Sequence, residues 1–208
     1  MISKEELDRA FDSRFPKDMQ EKLRGAYVAV AGLGGLGSHI AIALARSGVG
    51  HLFLVDFDTV DTTNLNRQAY SISHLGKPKT QAIKEILSEI NPYLDIQSQS
   101  VKVTEENAPE LFGQYPIVCE AFDKADQKAM LVSTLLEKVP DTIIVSGNGM
   151  AGLGSCNDIK TVHKMKRLYV CGDEKTDVGD GIGLMAPRVM VTAGHQAGQV
   201  IRLILGLE

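Results

Sequence analysis

The chain has only three cysteines, Cys119, Cys156 and Cys171, and no Cys-x-x-Cys pair. An odd count at wide spacing is no disulfide framework, and a four-thiolate zinc site is excluded. The five histidines are scattered and never paired at helical spacing, so no structural metal is expected from them. Runs of lysine or arginine are absent and the formal net charge is −4, which gives no electrostatic reason to expect a nucleic-acid or anionic-membrane partner. The start, Met1-Ile2-Ser3-Lys4-Glu5-Glu6, lacks the apolar core of a signal peptide, and the longest apolar stretches are interrupted by polar residues. No membrane span is predicted, and the cytoplasm is the expected location. Repeats, low-complexity tracts and Pro/Gly/Ser linkers are missing too, as in one large domain or one domain with a small extension.

What is present alternates. Leu7, Phe11, Phe15, Met19 and Leu23 are spaced by four and share one helical face. Pro16 divides that charged arm into two short helices, which pack across a domain surface or a partner. Tyr27–Ala31 reads as a buried strand, Leu36–Ser47 as a helix stopped by Gly48, and Leu52–Val55 as a second buried strand. Lys79–Ile90 is helical, and Ile96–Val103 a strand. Pro116–Glu120 is a short strand followed by a helix to about Val139, and Thr142–Ser146 is a further strand. The alternation predicts an α/β fold, a Rossmann-like, mostly parallel sheet with flanking helices. From about Met150 the pattern changes: Ile159–His163 and Leu168–Cys171 read as short strands outside the alternation, a Gly/Asp-rich loop spans Gly172–Gly183, and Pro187–Leu205 is a long closing helix.

Gly32-Leu33-Gly34-Gly35-Leu36-Gly37 sits between a predicted strand and a predicted helix. Glycines let the backbone turn tightly and approach phosphate oxygens, and the N–H groups at a helix start bind the anion. Asp56 ends the next strand, where a carboxylate accepts hydrogen bonds from ribose hydroxyls. Asp58 is the alternative for that role, and a loop aspartate is the plainer reading of either. These features alone fit a NAD-dependent dehydrogenase.

The next residues tilt the reading toward a triphosphate. Asn64-Leu65-Asn66-Arg67-Gln68 places a polar turn beside the nucleotide site, and an arginine binds phosphate oxygens bidentately. Lys79 opens a helix, where it offers a compact charge to the same phosphates. A surface arginine and a solvated lysine are the competing readings.

Taken in order, these segments resemble the ThiF/MoeB superfamily, relatives of ubiquitin-activating enzymes that adenylate small sulfur-carrier proteins. The matching pieces are the glycine loop with Ser38, Leu44–Gly50, Asp56-Phe57-Asp58-Thr59-Val60, Asn64–Gln68, Gly76-Lys77-Pro78-Lys79, Glu120-Ala121-Phe122-Asp123 and Gly183–Pro187. The likeness runs from Gln20 onward and is strongest to short ThiF-like proteins linked to thiamine biosynthesis. It implies a helical arm over 1–24 and an ATP-binding domain over 25–208. It implies that Gly32, Gly34, Gly35 and Gly37 hold ATP, that Asp56 binds the ribose, and that Asn64, Arg67 and Lys79 contact the phosphates. Asp123 would hold or orient magnesium, which favours oxygen ligands and keeps several waters; the competing reading of Asp123 is a helix cap.

The implied reaction is adenylation, with release of pyrophosphate, of the C-terminal glycine of a small ubiquitin-like carrier ending in Gly-Gly, by a homodimer. The superfamily's paired Cys-x-x-Cys zinc motifs are absent here, so no zinc is expected. Arg14 or Arg9 would be the arm residue acting in a partner's site, although Arg14-Phe15-Pro16-Lys17 departs from the usual arm. Cys171 would be the candidate for sulfur chemistry, against the simpler reading of a half-buried packing residue. A tRNA threonylcarbamoyladenosine dehydratase-like enzyme and a non-catalytic carrier-binding protein remain as alternatives.

Overall fold

The computed structural model of the chain describes every residue except 1, 15, 178, 180 and 182, and of Lys17 the backbone only. Seven strands form one sheet in the order β3-β2-β1-β4-β5-β7-β6. They are β1 (Tyr27–Ala31), β2 (His51–Val55), β3 (Asp95–Gln99), β4 (Ile117–Glu120), β5 (Ile143–Gly147), β6 (Lys160–Met165) and β7 (Leu168–Gly172). All pairs are parallel except β6 with β7. The central strands read as apolar runs because helices cover both faces of the sheet.

The helices are α1 (Lys4–Asp12), α2 (Lys17–Arg24), α3 (Gly35–Arg46), α4 (Lys79–Ile90), α5 (Ala108–Phe112), α6 (Ala125–Lys138) and α7 (Ala186–Leu205). On one face α3, α4 and α7 bury Ile40, Leu44, Ile83, Leu87, Val189 and Val200 against the sheet. On the other, α5 and α6 bury Phe112, Leu131 and Leu135, and Phe53 stacks on Tyr115 with ring centroids 4.9 Å apart. Among the described residues no helix is long and apolar enough to cross a membrane.

The chain leaves β1 toward β2 and β3 on one side, then returns to place β4 and β5 on the other. The order reverses between β1 and β4, and ligands of parallel sheets collect in the crevice beyond the strand ends at such a point. The glycine loop follows β1 and the Ala121–Asp123 turn follows β4, so the two face each other across that crevice.

One expectation is corrected and two are sharpened. The strand predicted over Ile96–Val103 ends at Gln99, whose carbonyl accepts the Asp56 N–H at 3.3 Å; Val103 turns inward to the core instead. The short strands after Met150 fall outside the strand–helix alternation, as expected, and both join the main sheet, where β7 extends it parallel to β5 and β6 closes its edge. The arm is two helices divided at Pro16, as expected, and it packs on its own domain, with Leu7, Phe11 and Met19 left partly exposed. Leu23 is buried in the core, and the Leu23 carbonyl accepts the Gly50 N–H at 3.0 Å. Phe15 lies outside the described residues.

Candidate active site

A cavity of about 650 Å³ opens at the switch point, within the size range of small-molecule sites. Gly32, Gly34, Gly35, Asp56, Arg67, Lys79 and Asp123 all line it. Gly37 and Asn64 do not. A second, shallower groove of about 720 Å³ lies between β6 and the outer face of α7, and none of the expected site residues borders it.

Three of the four glycines have distinct jobs. A Cβ on Gly37 would sit 1.7 Å from the Gly32 carbonyl oxygen, so Gly37 lets α3 start directly against the loop. Gly32 has φ of +91°, and a Cβ there would meet the Ala121 carbonyl oxygen at 2.8 Å. Gly34 is open: the nearest atom to a Cβ is Gln68 Nε2 at 3.8 Å. Gly34 is also the N-cap of α3 and supplies no capping side chain, and the helix's first bond runs from the Ser38 N–H to the Gly34 carbonyl. The N–H groups of Gly35, Leu36 and Gly37 therefore have no intrahelical acceptor, the arrangement that binds phosphate.

Asp56 is 8% exposed and fixes the loop. Its Oδ2 accepts the Leu33 N–H at 2.6 Å and its Oδ1 the Asp58 N–H at 2.8 Å. Burial pushes its carboxyl above the usual range, against the pull of Lys79 and of these two N–H groups. A carboxylate has about four lone-pair sites, so two remain for a ligand.

Lys79 is the first residue of α4 and is only 6% exposed, so it is no solvated lysine. Its Nζ donates to Asp58 Oδ2 at 2.9 Å. Arg67 is half-buried, and its Nη1 donates to the Thr63 carbonyl and to Asn66 Oδ1. The Arg67 carbonyl accepts from His39 Nε2 at 3.1 Å, which assigns the ring proton to that nitrogen. Burial holds the His39 pKa below its ordinary value.

Asn64 does not line the cavity; its Oδ1 accepts the Asp61 N–H, and its carbonyl accepts the Gln68 N–H at 2.9 Å. It holds the turn that carries Arg67.

Asp123 is exposed on the cavity wall and makes no hydrogen bond or ion pair among the described residues. It is not a helix cap: the N-cap of α6 is Lys124, with no side-chain capping bond. No group of three or more histidine, cysteine or acidic side chains suited to a metal occurs among the described residues. Asp126 also borders the cavity without a hydrogen bond or ion pair among the described residues. One or two such carboxylates beside a phosphate cradle are nonetheless a donor set that suits magnesium, which takes its remaining ligands from phosphates and water.

Two polar residues sit in the matching segments without an assigned role. Gln68 is 8% exposed, lines the cavity beside Gly34, and has no partner for its Oε1. Glu120 ends an otherwise apolar strand and is fully buried; an acidic residue closing a hydrophobic strand was the available signal. Cys171 is fully buried rather than half-buried, and burial pushes its thiol up to about 11. It lies outside the cavity, as do the exposed Arg9 and Arg14.

A model of the ThiF family matches residues 7–208. The chain is 33% identical over 196 residues to adenylyltransferase and sulfurtransferase MOCS3 of Culex quinquefasciatus, covering 90% of this chain and 43% of that one. It is 31% identical over 199 residues to the molybdopterin-synthase adenylyltransferase of Escherichia coli strain K12, covering 92% and 78%. Among solved structures, the E. coli tRNA N6-threonylcarbamoyladenosine dehydratase in complex with ATP superposes with a TM-score of 0.86 over 99% of this chain and 97% of that one. Its 21% identity makes that a likeness of fold. The chain thus spans less than half the length of the mosquito relative and about three quarters of the bacterial one. With the match running over 7–208, the glycine cradle, the Arg67 turn and Lys79 in place, the chain belongs to the ThiF family.

Proposed function

We propose that the chain is an adenylyltransferase that activates the C-terminal glycine carboxylate of a small ubiquitin-like sulfur carrier ending in Gly-Gly. The observation that carries this reading is the cavity itself. An uncapped helix N-terminus shares it with the cations Arg67 and Lys79 on one bank and the carboxylate Asp123 on the other.

A carboxylate is already ionised at neutral pH, so no side chain has to remove its proton. One carboxylate oxygen bonds to the α-phosphorus of ATP. The bond from that phosphorus to the bridging oxygen breaks, and its electron pair leaves on pyrophosphate. Charge grows on the leaving group, and fixed cations placed there stabilise the transition state more than the ground state. Arg67 and Lys79 take that task, with Lys79 exchanging some of its contact with Asp58 for phosphate. The free N–H groups of α3 hold the phosphates, and the remaining lone pairs of Asp56 receive the ribose hydroxyls. Magnesium, held by Asp123, would neutralise phosphate charge and fix the chain of phosphates for in-line attack.

For the carrier, we propose the ThiS-like type of thiamine biosynthesis; the relatives named for molybdopterin synthase make a molybdopterin-type carrier the direct comparison. For the assembly we propose a homodimer, on the family resemblance alone, to be decided by sedimentation velocity. A second reading, a tRNA threonylcarbamoyladenosine dehydratase, is favoured by the near end-to-end match to that fold. The formal net charge of −4 offers tRNA no general attraction.

ATP–pyrophosphate exchange separates the readings when run with each carrier and with tRNA bearing threonylcarbamoyladenosine. Exchange that requires a Gly-Gly carrier is expected. Turnover with the tRNA and none with any carrier would transfer the assignment to the second reading.

A further inference from the structure

A buried ion pair lies directly beneath Asp123. Glu120 is the last residue of β4 and fully buried, at a point where three apolar residues precede it. A carboxylate is tolerated there only if it is paired and hydrogen-bonded. Both its oxygens are occupied: Oε1 accepts the Phe122 N–H at 2.7 Å, Oε2 accepts the Ser146 hydroxyl at 2.6 Å, and Lys128 Nζ lies 3.0 Å from each.

Lys128 does a second thing. Reaching back from the first turns of α6, its Nζ also donates to the Phe122 carbonyl at 2.8 Å. Both backbone groups of Phe122 are therefore held, one by the carboxylate and one by the ammonium that pairs with it. Asp123 is the next residue. On the opposite side, the Ala121 carbonyl rests against Gly32, where a Cβ would find only 2.8 Å. The turn has one position: gripped at Phe122 by charge and pressed at Ala121 against the glycine loop.

A pair of this kind adds little net stability over an apolar isostere, but it does fix geometry. We infer that Glu120 and Lys128 are positioning residues, an ion-paired clamp that sets where the Asp123 carboxylate stands relative to the phosphate cradle. Lys128 borders the cavity and Glu120 does not, and the clamp requires neither to touch ATP. The clamp acts through Asp123, so its loss displaces the metal-side carboxylate and leaves the glycine loop and Asp56 in place. This inference rests on the ATP and magnesium reading of the site and is independent of which acceptor is used.

The test is ATP binding by titration calorimetry, with magnesium chloride and again with EDTA, on the full chain without any acceptor. Wild-type protein should bind ATP more tightly with magnesium. Lys128→Met should lose about tenfold of that enhancement and leave affinity in EDTA unchanged; because it strands the buried Glu120 carboxylate its melting temperature should fall, and binding is measured well below it. Lys128→Arg, which preserves the charge and the reach, should recover most of the enhancement. Lys128→Gln replaces Lys128→Met if the latter does not fold.

Because the clamp works through one carboxylate, Lys128→Met combined with Asp123→Asn should be no worse than Asp123→Asn alone. Additive losses, an unaltered magnesium enhancement in Lys128→Met, or a wild-type affinity indifferent to magnesium would each overturn the inference. Failure to find an acceptor would count against the proposed reaction and leave this test standing.

Discussion

The two banks of the cavity are built from different materials. On the β1 side the work is done by backbone: Gly37 lets α3 start in contact with Gly32, Gly34 stays open, and Asp56 ties the loop through two N–H groups. On the β4 side it is done by charge, with buried Glu120 and half-buried Lys128 holding the turn that presents Asp123. A backbone cradle fails by steric clash. A charged clamp fails when one partner is removed and the other is left buried, so the turn that carries Asp123 loses its geometry. One bank resists any added atom, and the other depends on a matched pair.

The largest effect is expected at Gly37. Gly37→Ala brings a Cβ to 1.7 Å from a backbone oxygen, which cannot give way as a side chain tip can. More than about 3 kcal/mol of stability should be lost, read by urea denaturation. Gly34→Ala sharpens the contrast within the same loop. Its Cβ meets nothing closer than 3.8 Å, so stability should change by about 1 kcal/mol or less while ATP affinity falls about tenfold. If Gly34→Ala instead unfolds the protein, the open glycine has been misread.

Arg67→Ala should lower carrier-dependent exchange by about 10²- to 10³-fold, with the melting temperature held, because removing one fixed transition-state partner has that scale. Unchanged exchange would return Arg67 to the surface-arginine reading.

A smaller effect should appear in the pH dependence of stability. Buried His39 has a folded pKa below its unfolded value of about 6.5. In that window the unfolded chain binds the extra proton, so stability falls as pH drops from about 6.5 through the folded pKa, and is flat above. His39→Gln should flatten that acid limb in melts taken across the window. The smallest effect is at Cys171, buried and with its thiol pushed up to about 11. Cys171→Ser should leave adenylation and thiocarboxylate formation unimpaired; loss of thiocarboxylate alone would give this thiol a role in sulfur transfer.

The backbone bank was legible in the sequence because its signals are local. Four glycines between an apolar strand and a helix, and Asp56 at the end of the next strand, are spaced by chain geometry alone. Lys79 was found for the same reason, since Pro78 sets the helix start that places it. The charged bank was not legible. Glu120 draws its partners from Ser146 on β5 and Lys128 on α6, and only the strand order brings these together. Asn64, a motif position read as a phosphate ligand, lies off the cavity with its Oδ1 bound within its own turn, so its contact with phosphate stays a proposal. The C-terminal strands were seen, but not their place in the main sheet, because a parallel neighbour such as β5 leaves no local mark on β7.

The central claim is that a carboxylate attacks the α-phosphorus of ATP in this cavity. Its most direct test is a carrier whose terminal carboxylate carries oxygen-18, turned over with ATP and then released by a thiol or water. Attack by that carboxylate leaves one of its oxygens on phosphorus, so the AMP released should contain the label. Unlabelled AMP, or products limited to ADP and phosphate, would contradict the account.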